Sequence, residues 1–330
     1  MKKRVFSGAR PTGRMHVGNY LGAVRNWVRM QDEYQCIYAV VDYHAMTTPY
    51  EAEQLNLDTG EMLVDLLASG IDPGKCTLIV QSQIPQHSEL AWVLGTITPL
   101  GWLERVPTFK EKSSMHPDYV NLGLLSYPVL QAADIILYKA EAVPVGEDQR
   151  PHVELTREIV RRFNYMFGDT FPEPQVITPE ETARIASLTE PDRKMSKSFG
   201  PPSYIAIGDS PEQIRDKIMK AVTDTGPSTE EMSPGVANLF LLLRSFGDEK
   251  QHQLFAEQYR AGTIRYVDLK EATADALAEG LRPIREKRAE ILQDERILED
   301  ALERGRETAT ALAAETMSEV RNRIGLYHPR

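Results

Sequence analysis

The stretch RVFSGARPTGRMHVGNYLGAV, residues 4–24, predicts a strand, a loop and the start of a helix. Its first four residues predict the strand, and a loop that contains glycine and proline follows directly. Leu21, Val24 and Val28 then recur at helical spacing, which predicts a helix that begins just after Gly18. A glycine turn at the start of a helix can approach a phosphate, because free backbone N–H groups point toward anionic oxygen.

Further apolar runs place this unit in a parallel sheet. CIYAVVD (36–42), CTLIVQS (76–82) and AVPVG (142–146) predict strands that are buried on both faces. A helix that ends near Gly70 supplies the crossover between the first two runs, and HVELTREIVRRF (152–163) predicts an amphipathic helix after the third. This alternation predicts an α/β fold with a doubly wound parallel sheet.

The pattern changes after about residue 178, where helix signals replace strand signals. Thr178 and Ser210 each begin an N-cap sequence, with proline at the first helical position. After the second cap, Ile214, Ile218 and Val222 are expected to share one helical stripe.

The remainder, from residue 238 to about residue 323, is almost wholly helical in pattern. We therefore expect a sheet-based domain over residues 1–188 and a helical domain over residues 189–330. The junction is expected near EPDRKMSKSFGPP, residues 190–202, which contains proline and glycine.

Composition excludes few functions. The net charge of −10 does not favour RNA binding, and the basic residues of the carboxyl-terminal third are interleaved with acids, as on a solvated helix face. No apolar run approaches the roughly 20 residues of a membrane helix, and the amino terminus lacks a secretory signal, so we expect a cytoplasmic protein. Cys36 and Cys76 lie in apolar runs and predict buried reduced thiols; without a Cys-x-x-Cys pair, we expect no structural metal.

Two segments carry side chains that suit ATP phosphates. In MHVGN (15–19), the imidazole of His16 could hydrogen-bond the charge that develops on a phosphoryl group, although a loop of this composition is more often only a loop. In KMSKS (194–198), Lys194 and Lys197 bracket a serine, and two ammonium groups can neutralise a departing pyrophosphate. An exposed basic linker is the alternative reading of such a segment.

Together these segments resemble the two signatures of the class I aminoacyl-tRNA synthetases. KMSKS is identical to the second signature, and MHVGN is similar to the first, His-Ile-Gly-His, with Asn19 in place of the second histidine. Their order and the strand–loop–helix setting also match. The resemblance implies a Rossmann-like fold that binds ATP at the carboxyl ends of the strands, followed by a helical domain on the anticodon side.

The resemblance covers most of the chain and implies a set of ATP contacts. His16, Asn19, Lys194 and Lys197 would be catalytic. ATP would be bound by Arg10, Pro11, Thr12, Gly18, Asn19, Gly146, Glu147, Asp148, Ile185, Lys194, Met195, Ser196, Lys197 and Ser198. Mg²⁺ would accompany the triphosphate.

A helical segment, YPVLQAADIILY (127–138), places Tyr127, Gln131 and Asp134 on one face. An unpaired carboxylate is costly in this apolar run, so from the residues alone Asp134 either caps local backbone or awaits a polar hydrogen of a ligand. The segment resembles the amino acid pocket that tryptophan and tyrosine enzymes of the family share.

Two features favour tryptophan. Phe6 stands where tyrosine enzymes typically have a tyrosine, and residues 143–164 and 320–327 resemble bacterial tryptophan enzymes. The resemblance implies that Asp134 binds the indole N–H, with Phe6, His44 and Gln131 around the ring and Tyr127 and Gln149 at the α-amino group. Arg10 and Gln131 depart from the commonest bacterial versions, which have Gln and Met there.

The implied partners are L-tryptophan, ATP and tRNA(Trp), and the implied assembly is a homodimer formed through a helical insertion in the first domain. Two other functions stay open. A non-enzymatic paralogue that binds the aminoacyl-adenylate or a protein partner would be expected to lose one phosphate motif. A small-molecule nucleotidyltransferase also uses a first loop with histidine, but it lacks KMSKS and has no use for a second helical domain.

Overall fold

A computed structural model describes residues 2–115, 117–146, 149–178, 184–224 and 232–327. Within these ranges one parallel sheet has the strand order β3-β2-β1-β4-β5. Its strands are β1 (Arg4–Ala9), β2 (Gln35–Val40), β3 (Thr77–Val80), β4 (Ala142–Pro144) and β5 (Gln175–Ile177). The order reverses between β1 and β4, which confirms the prediction of a doubly wound sheet and creates a crevice at that point.

The first predicted helix exists, but it begins at Val17 and not after Gly18. It consists of α1 (Val17–Asn19), one π-helical turn (Tyr20–Val24) and α2 (Arg25–Met30). The earlier start has a local cause, because the His16 side chain accepts a hydrogen bond from the Asn19 N–H and so caps the helix.

The helices of the first half connect and cover the strands. They are α3 (Asp42–Ala45), α4 (Ala52–Ala68), α5 (Gln86–Gly95), α6 (Leu100–Glu104), α7 (Pro107–Met115), α8 (Leu122–Ile136) and α9 (Arg150–Phe167). As predicted, α4 is the crossover between β2 and β3. Gly70 lies just beyond its end with φ +106°, a backbone conformation that favours glycine.

The second half is helical, as its sequence predicts. Its helices are α10 (Pro211–Met219), α11 (Pro234–Phe246), α12 (Glu249–Arg260), α13 (Tyr266–Gly280), α14 (Arg282–Gln293) and α15 (Arg296–Arg323). Ser210 forms the predicted capping box with Gln213. The prediction for Val222 is wrong, because α10 ends at Met219 and leaves that side chain 44% exposed, whereas Ile214 and Ile218 are buried. The helix predicted after Thr178 falls on residues 179–183, outside the described residues.

Each face of the sheet has its own apolar core. Alternate residues point to opposite faces, so Val5 and Tyr38 belong to the core that contains Trp27 of α2 and Leu66 of α4 and extends to α10, α11 and α13, whereas Phe6 and Ile37 belong to the core of α5, α8 and α9. Cys36 is buried on the first side; it and the half-buried Cys76 are free thiols, as expected.

The last helix covers the edge of the sheet at β3. A Cβ atom on Gly305 of α15 would lie 1.8 Å from the Leu78 carbonyl oxygen, so only glycine lets the two main chains approach this closely. Further along α15, Ala309, Ala313 and Met317 are fully buried in the core that contains Phe6. In the part of the chain that the structure describes, no helix is long and apolar enough to cross a membrane.

Candidate active site

The two signature segments are joined by a short piece of antiparallel backbone pairing. The Val17 N–H donates to the Ile205 carbonyl at 2.9 Å, and the Ile207 N–H donates to the Met15 carbonyl at 3.0 Å. His16 lies between them, opposite Ala206. Since KMSKS ends only seven residues before Ile205, this pairing brings the second signature beside the first.

His16 is almost fully buried at the N-terminus of α1. Burial, reinforced by the positive charges of Lys197 and Lys194, lowers its pKa to about 4. The imidazole is therefore neutral at physiological pH. Gly18 packs against it, because a Cβ atom there would lie 3.0 Å from two ring atoms. Asn19 is exposed to solvent, and its N–H donates to the imidazole of His16.

The KMSKS segment is anchored by its central apolar residue. Met195 is buried, and its N–H donates to the carbonyl of Ile185 at 2.9 Å. The Ser196 hydroxyl accepts from the Ser198 N–H and so caps a short helical turn that begins at Lys197. Lys194 is exposed to solvent.

Lys197 points toward the first loop, where its ammonium group donates to the Arg14 carbonyl at 2.8 Å. Burial lowers the pKa of Lys197, and the negative charges of Asp58 and Asp65 on α4 oppose that shift. The lysine is thus held close to His16 while it keeps its charge.

Arg10, Pro11 and Thr12 follow β1 and line a cavity of about 500 Å³. Arg10 turns toward the end of α3, where its guanidinium donates to the Ala45 carbonyl at 3.2 Å and to the Thr48 hydroxyl just beyond the helix. On the other side of the crevice, the Gly146 carbonyl accepts from the Gln149 N–H at 3.0 Å. Glu147 and Asp148 lie outside the described residues.

All six residues assigned to the amino acid line one cavity of about 340 Å³, at the crevice between β1 and β4. They are Phe6, His44, Tyr127, Gln131, Asp134 and Gln149. Arg10 borders this cavity as well as the neighbouring one, so the two spaces meet at its side chain.

Asp134 is fully buried, and both of its carboxylate oxygens contact protein donors. His44 Nε2 lies 2.8 Å from Oδ2, His87 Nδ1 lies 2.7 Å from Oδ1, and the Gln81 amide donates to both oxygens at 2.7 and 2.9 Å. Burial alone would raise the pKa of Asp134, but the two histidines outweigh it and hold the pKa below its ordinary value. The group is an ionised acceptor.

Sequence reasoning missed Gln81 and His87. Gln81 follows β3 directly, and the carboxyl ends of parallel strands meet at one edge of the sheet, so its position was a usable signal. His87 gave no such signal. It is fully buried one residue into α5, and its other nitrogen, Nε2, lies 2.8 Å from the Tyr138 hydroxyl.

The walls of the cavity combine aromatic and polar groups. Phe6 stacks on Tyr138 with ring centroids 5.8 Å apart, which fixes its ring at the cavity. The Tyr127 hydroxyl lies 2.6 Å from Nε2 of His152, a buried residue that the sequence did not single out. Burial raises the pKa of Tyr127, so its phenol stays protonated.

Lys112 on α7 also lines this cavity and was not predicted. Its ammonium group lies 5.2 Å from the centroid of the Tyr127 ring, a cation–π arrangement. Burial, together with the positive charge of Arg10, lowers the pKa of Lys112 to about 8. A cation at this place suits an anionic ligand group. The cavity therefore combines a buried anionic acceptor, an aromatic wall and cations near the phosphate loops.

Comparison with known proteins identifies the family. Residues 1–282 match the family described as tRNA synthetases class I (W and Y). A tryptophan–tRNA ligase of Wolinella succinogenes is 43% identical over 330 residues, covering 99% of this chain and 99% of its own. Tryptophan–tRNA ligase 2 of Streptomyces avermitilis is 42% identical, covering 98% and 97%.

Solved structures agree with these sequences. Tryptophanyl-tRNA synthetase from Campylobacter jejuni, complexed with ADP and tryptophan, is 33% identical, has a TM-score of 0.86 and covers 98% of this chain and 100% of its own. Tyrosyl-tRNA synthetase from Archaeoglobus fulgidus, at 22% identity and a TM-score of 0.67, shares the fold. The chain belongs to the class I tRNA synthetases of the tryptophan and tyrosine group.

Proposed function

We propose that the protein is a tryptophan–tRNA ligase, which activates L-tryptophan with ATP and transfers it to tRNA(Trp). The observation that carries this proposal is Asp134, a buried ionised acceptor at the cavity that Phe6 also lines. An indole presents one N–H and an otherwise apolar ring, which suits this wall. The full-length likeness to tryptophan–tRNA ligases supports the same substrate.

In the first step, the tryptophan carboxylate attacks the α-phosphate of ATP and pyrophosphate leaves. The chain's own groups supply positioning and charge stabilisation. His16, as a neutral imidazole, can donate a hydrogen bond to phosphate oxygen, and Lys194 and Lys197 stabilise the charge on the leaving pyrophosphate. Tyr127 and Gln149, which both line the cavity, are proposed to hold the α-amino group.

Mg²⁺ is proposed to enter with ATP as part of the substrate. The cations near the two signature segments include Arg10, Lys112, Lys194 and Lys197, and the carboxylate of Asp58 lines the same cavity as Arg10. We propose that the triphosphate itself holds the ion.

In the second step, the terminal ribose hydroxyl of the tRNA takes the aminoacyl group, and AMP leaves. We propose that residues 1–188 carry the catalytic functions and that residues 189–330 carry the KMSKS loop and the helices on the anticodon side. The helix α15 returns from this second part to the edge of the sheet. The proposed compartment is the cytoplasm, which fits the free thiols of Cys36 and Cys76.

The proposed assembly is a homodimer formed through α5, α6 and α8. Trp92 and Leu122 are each 77% exposed there, and Leu100 is 59% exposed. These side chains border one apolar surface cavity together with buried or half-buried leucines of α6 and α8. Large exposed apolar patches on a folded protein mark interaction surfaces, and a second copy of the chain offers a matching patch by two-fold symmetry.

Pyrophosphate exchange into ATP tests the proposed substrate. We expect exchange that depends on tryptophan; exchange with tyrosine and none with tryptophan would overturn the assignment. Aminoacylation of total tRNA separates the remaining alternatives, because neither a regulatory paralogue nor a small-molecule nucleotidyltransferase would charge tRNA.

A further inference from the structure

A buried ion-pair cluster connects the second half of the chain to the loop that carries His16. Arg288 on α14 donates from Nε to Asp65 Oδ1 at 2.9 Å, and its Nη2 donates to Glu61. Both carboxylates lie on α4, one helical turn apart. The pair that Arg288 forms with Asp65 spans 223 residues and is almost fully buried on both sides.

The second oxygen of Asp65 reaches the signature loop. Oδ2 accepts a hydrogen bond of 2.7 Å from the N–H of Met15, the residue before His16. Glu61 contacts the same loop one residue earlier, since its Oε2 lies 3.6 Å from Nε of Arg14. Arg288 thus binds two carboxylates, and these carboxylates contact Arg14 and Met15, two consecutive residues of the loop.

Arg288 also contacts the other side of the loop. A Cβ atom at Gly208 would lie 3.3 Å from Cδ of Arg288, so the arginine stem packs directly on the segment that follows Ile207. That segment pairs with Met15 through the hydrogen bond from the Ile207 N–H to the Met15 carbonyl. Met15 is therefore held through its N–H by Asp65 and through its carbonyl by Ile207. The Arg288 side chain contacts both Asp65 and the residue after Ile207.

We propose that Arg288 and Asp65 are positioning residues for amino acid activation: through the Met15 N–H they set the place of His16 relative to KMSKS. Neither side chain borders the cavities that Phe6, Asp134 and Arg10 line. Asp65 reaches the loop through the Met15 backbone, and its negative charge also acts on Lys197; variants that remove this charge alike isolate the hydrogen bond. The helix α14, remote from the amino acid, becomes a determinant of the activation rate.

The alternative is that the pair only stabilises the fold. A buried carboxylate that loses its guanidinium is destabilising, whereas replacing both partners by apolar side chains of similar volume is often neutral or better. The double variant Asp65→Leu/Arg288→Met removes both charges together, but it leaves the Met15 N–H without its acceptor. Asp65→Asn/Arg288→Met removes the charges and keeps an amide oxygen opposite that N–H.

The test compares kcat and KM of pyrophosphate exchange, and the melting temperature, in the parent and four variants. Arg288→Met should lower kcat about tenfold or more with little change in KM for the amino acid, because a small misplacement of a reacting group is costly. In the Leu/Met double variant the melting temperature should recover while kcat stays low. The Asn/Met double variant should exceed it in kcat by roughly threefold or more, the scale of one restored hydrogen bond.

The control is Arg321→Met. Arg321 also joins a helix of the second half to the first half by two hydrogen bonds to a carboxylate, that of Glu89, but its neighbours Met317 and Val320 belong to the core on the other face of the sheet from Met15. Its kcat should match the parent. The proposal is overturned if both double variants regain parental kcat together with stability, or if Arg321→Met loses as much kcat as Arg288→Met.

The inference rests on the proposed activation step but not on the choice of amino acid. If the parent exchanges pyrophosphate with another amino acid, the proposed substrate fails and the comparison of variants still decides the role of Arg288. If the parent uses tryptophan and the variants keep its kcat, the positioning role fails alone.

Discussion

The ammonium group of Lys197 donates a hydrogen bond of 2.8 Å to the main-chain carbonyl of Arg14, two residues before His16. The second signature thus contacts the first directly, although 183 residues separate them. The ammonium group keeps two further N–H groups for a phosphate while it makes this bond. The position of the lysine and that of the first loop are therefore tied to one another.

Replacing Lys197 with alanine should slow activation and leave tryptophan affinity almost unchanged. Removing one charged donor at a transition state lowers kcat by roughly 10²- to 10³-fold in comparable sites. Tryptophan binds elsewhere, at the Asp134 cavity, so its dissociation constant from equilibrium binding should stay within about twofold. Lys220→Ala is the control, since Lys220 is exposed and pairs with Asp216 on its own helix. If Lys197→Ala lost tryptophan affinity as much as kcat, Lys197 would not act mainly on the transition state.

Replacing Asp134 with asparagine should reduce discrimination against tyrosine and phenylalanine. The amide would direct an N–H group at a site where Gln81, His44 and His87 already supply donors. Loss of a charged acceptor costs about 1.5–3 kcal/mol, which corresponds to roughly 10- to 150-fold in kcat/KM for tryptophan. The ratio of kcat/KM values for the three amino acids in pyrophosphate exchange measures the effect. An unchanged ratio would remove Asp134 from substrate selection.

His16 should make the protein less stable as the pH falls below its usual pKa. The native pKa is about 4, and that of an unfolded histidine is about 6.5. Between these values the unfolded chain binds the proton and the native state does not, so stability is full above pH 6.5 and declines toward pH 4. The loss is on the order of 3 kcal/mol.

Denaturant unfolding of the parent and of His16→Gln at pH 7.5 and pH 4.5 measures this decline. We expect the variant to lose less unfolding free energy over the interval than the parent. Parallel declines in the two proteins would contradict the depressed pKa of His16.

The titration of Lys112 should lower kcat/KM for ATP at alkaline pH. With its pKa near 8, Lys112 loses its charge as the pH rises through that value, and kcat/KM for ATP should fall. Lys112→Arg keeps the charge and should remove the decline. In Lys112→Met, kcat/KM for ATP should be lower than the parent's neutral-pH value by about 10-fold or more at every pH. That factor is the scale of one charged hydrogen bond. An identical pH profile in the parent and the arginine variant would exclude Lys112 as the titrating group.

The apolar face of α5 and α8 should hold two copies together. A charged residue in place of Trp92 or Leu122 would have to be desolvated in that interface, so Trp92→Asp and Leu122→Asp should shift the mass in sedimentation from twice 37.2 kDa to 37.2 kDa. Tyr165→Asp is the control, because Tyr165 is 90% exposed on α9 and does not border the apolar cavity of this face. A parent that sediments as a monomer would refute the dimer.

Local patterns predicted the sheet because its strands are apolar runs that end where polar residues begin. β5 was missed, since Gln175–Ile177 is only three residues long and stands between polar and proline-bearing segments. Val222 was assigned to α10 because the helical spacing of apolar residues continues past Met219, whereas the helix itself ends there.

The candidate site divides in the same way. Phe6 and Asp134 lie on strongly patterned elements, and the structure places them at one cavity, together with the other residues assigned to the amino acid. His87 and Lys112 were not predicted, because each contacts a residue of α8 from another helix. Local sequence patterns do not encode how those helices are placed relative to α8. The hydrogen bond from Met15 to Asp65 spans 50 residues and that from Arg288 to Asp65 spans 223, so both are visible only in three dimensions.

The contact between Gly305 and Leu78 has a consequence for biosynthesis. β3 is an edge strand, and its outward N–H and C=O groups form a template on which a strand of another chain can pair. The chain emerges from the ribosome amino terminus first, so this edge stays open until α15, residues 296–323, has been made. Once made, the last helix covers this edge and so removes a site for aggregation. Glycine at position 305 lets the helix come close enough to do so.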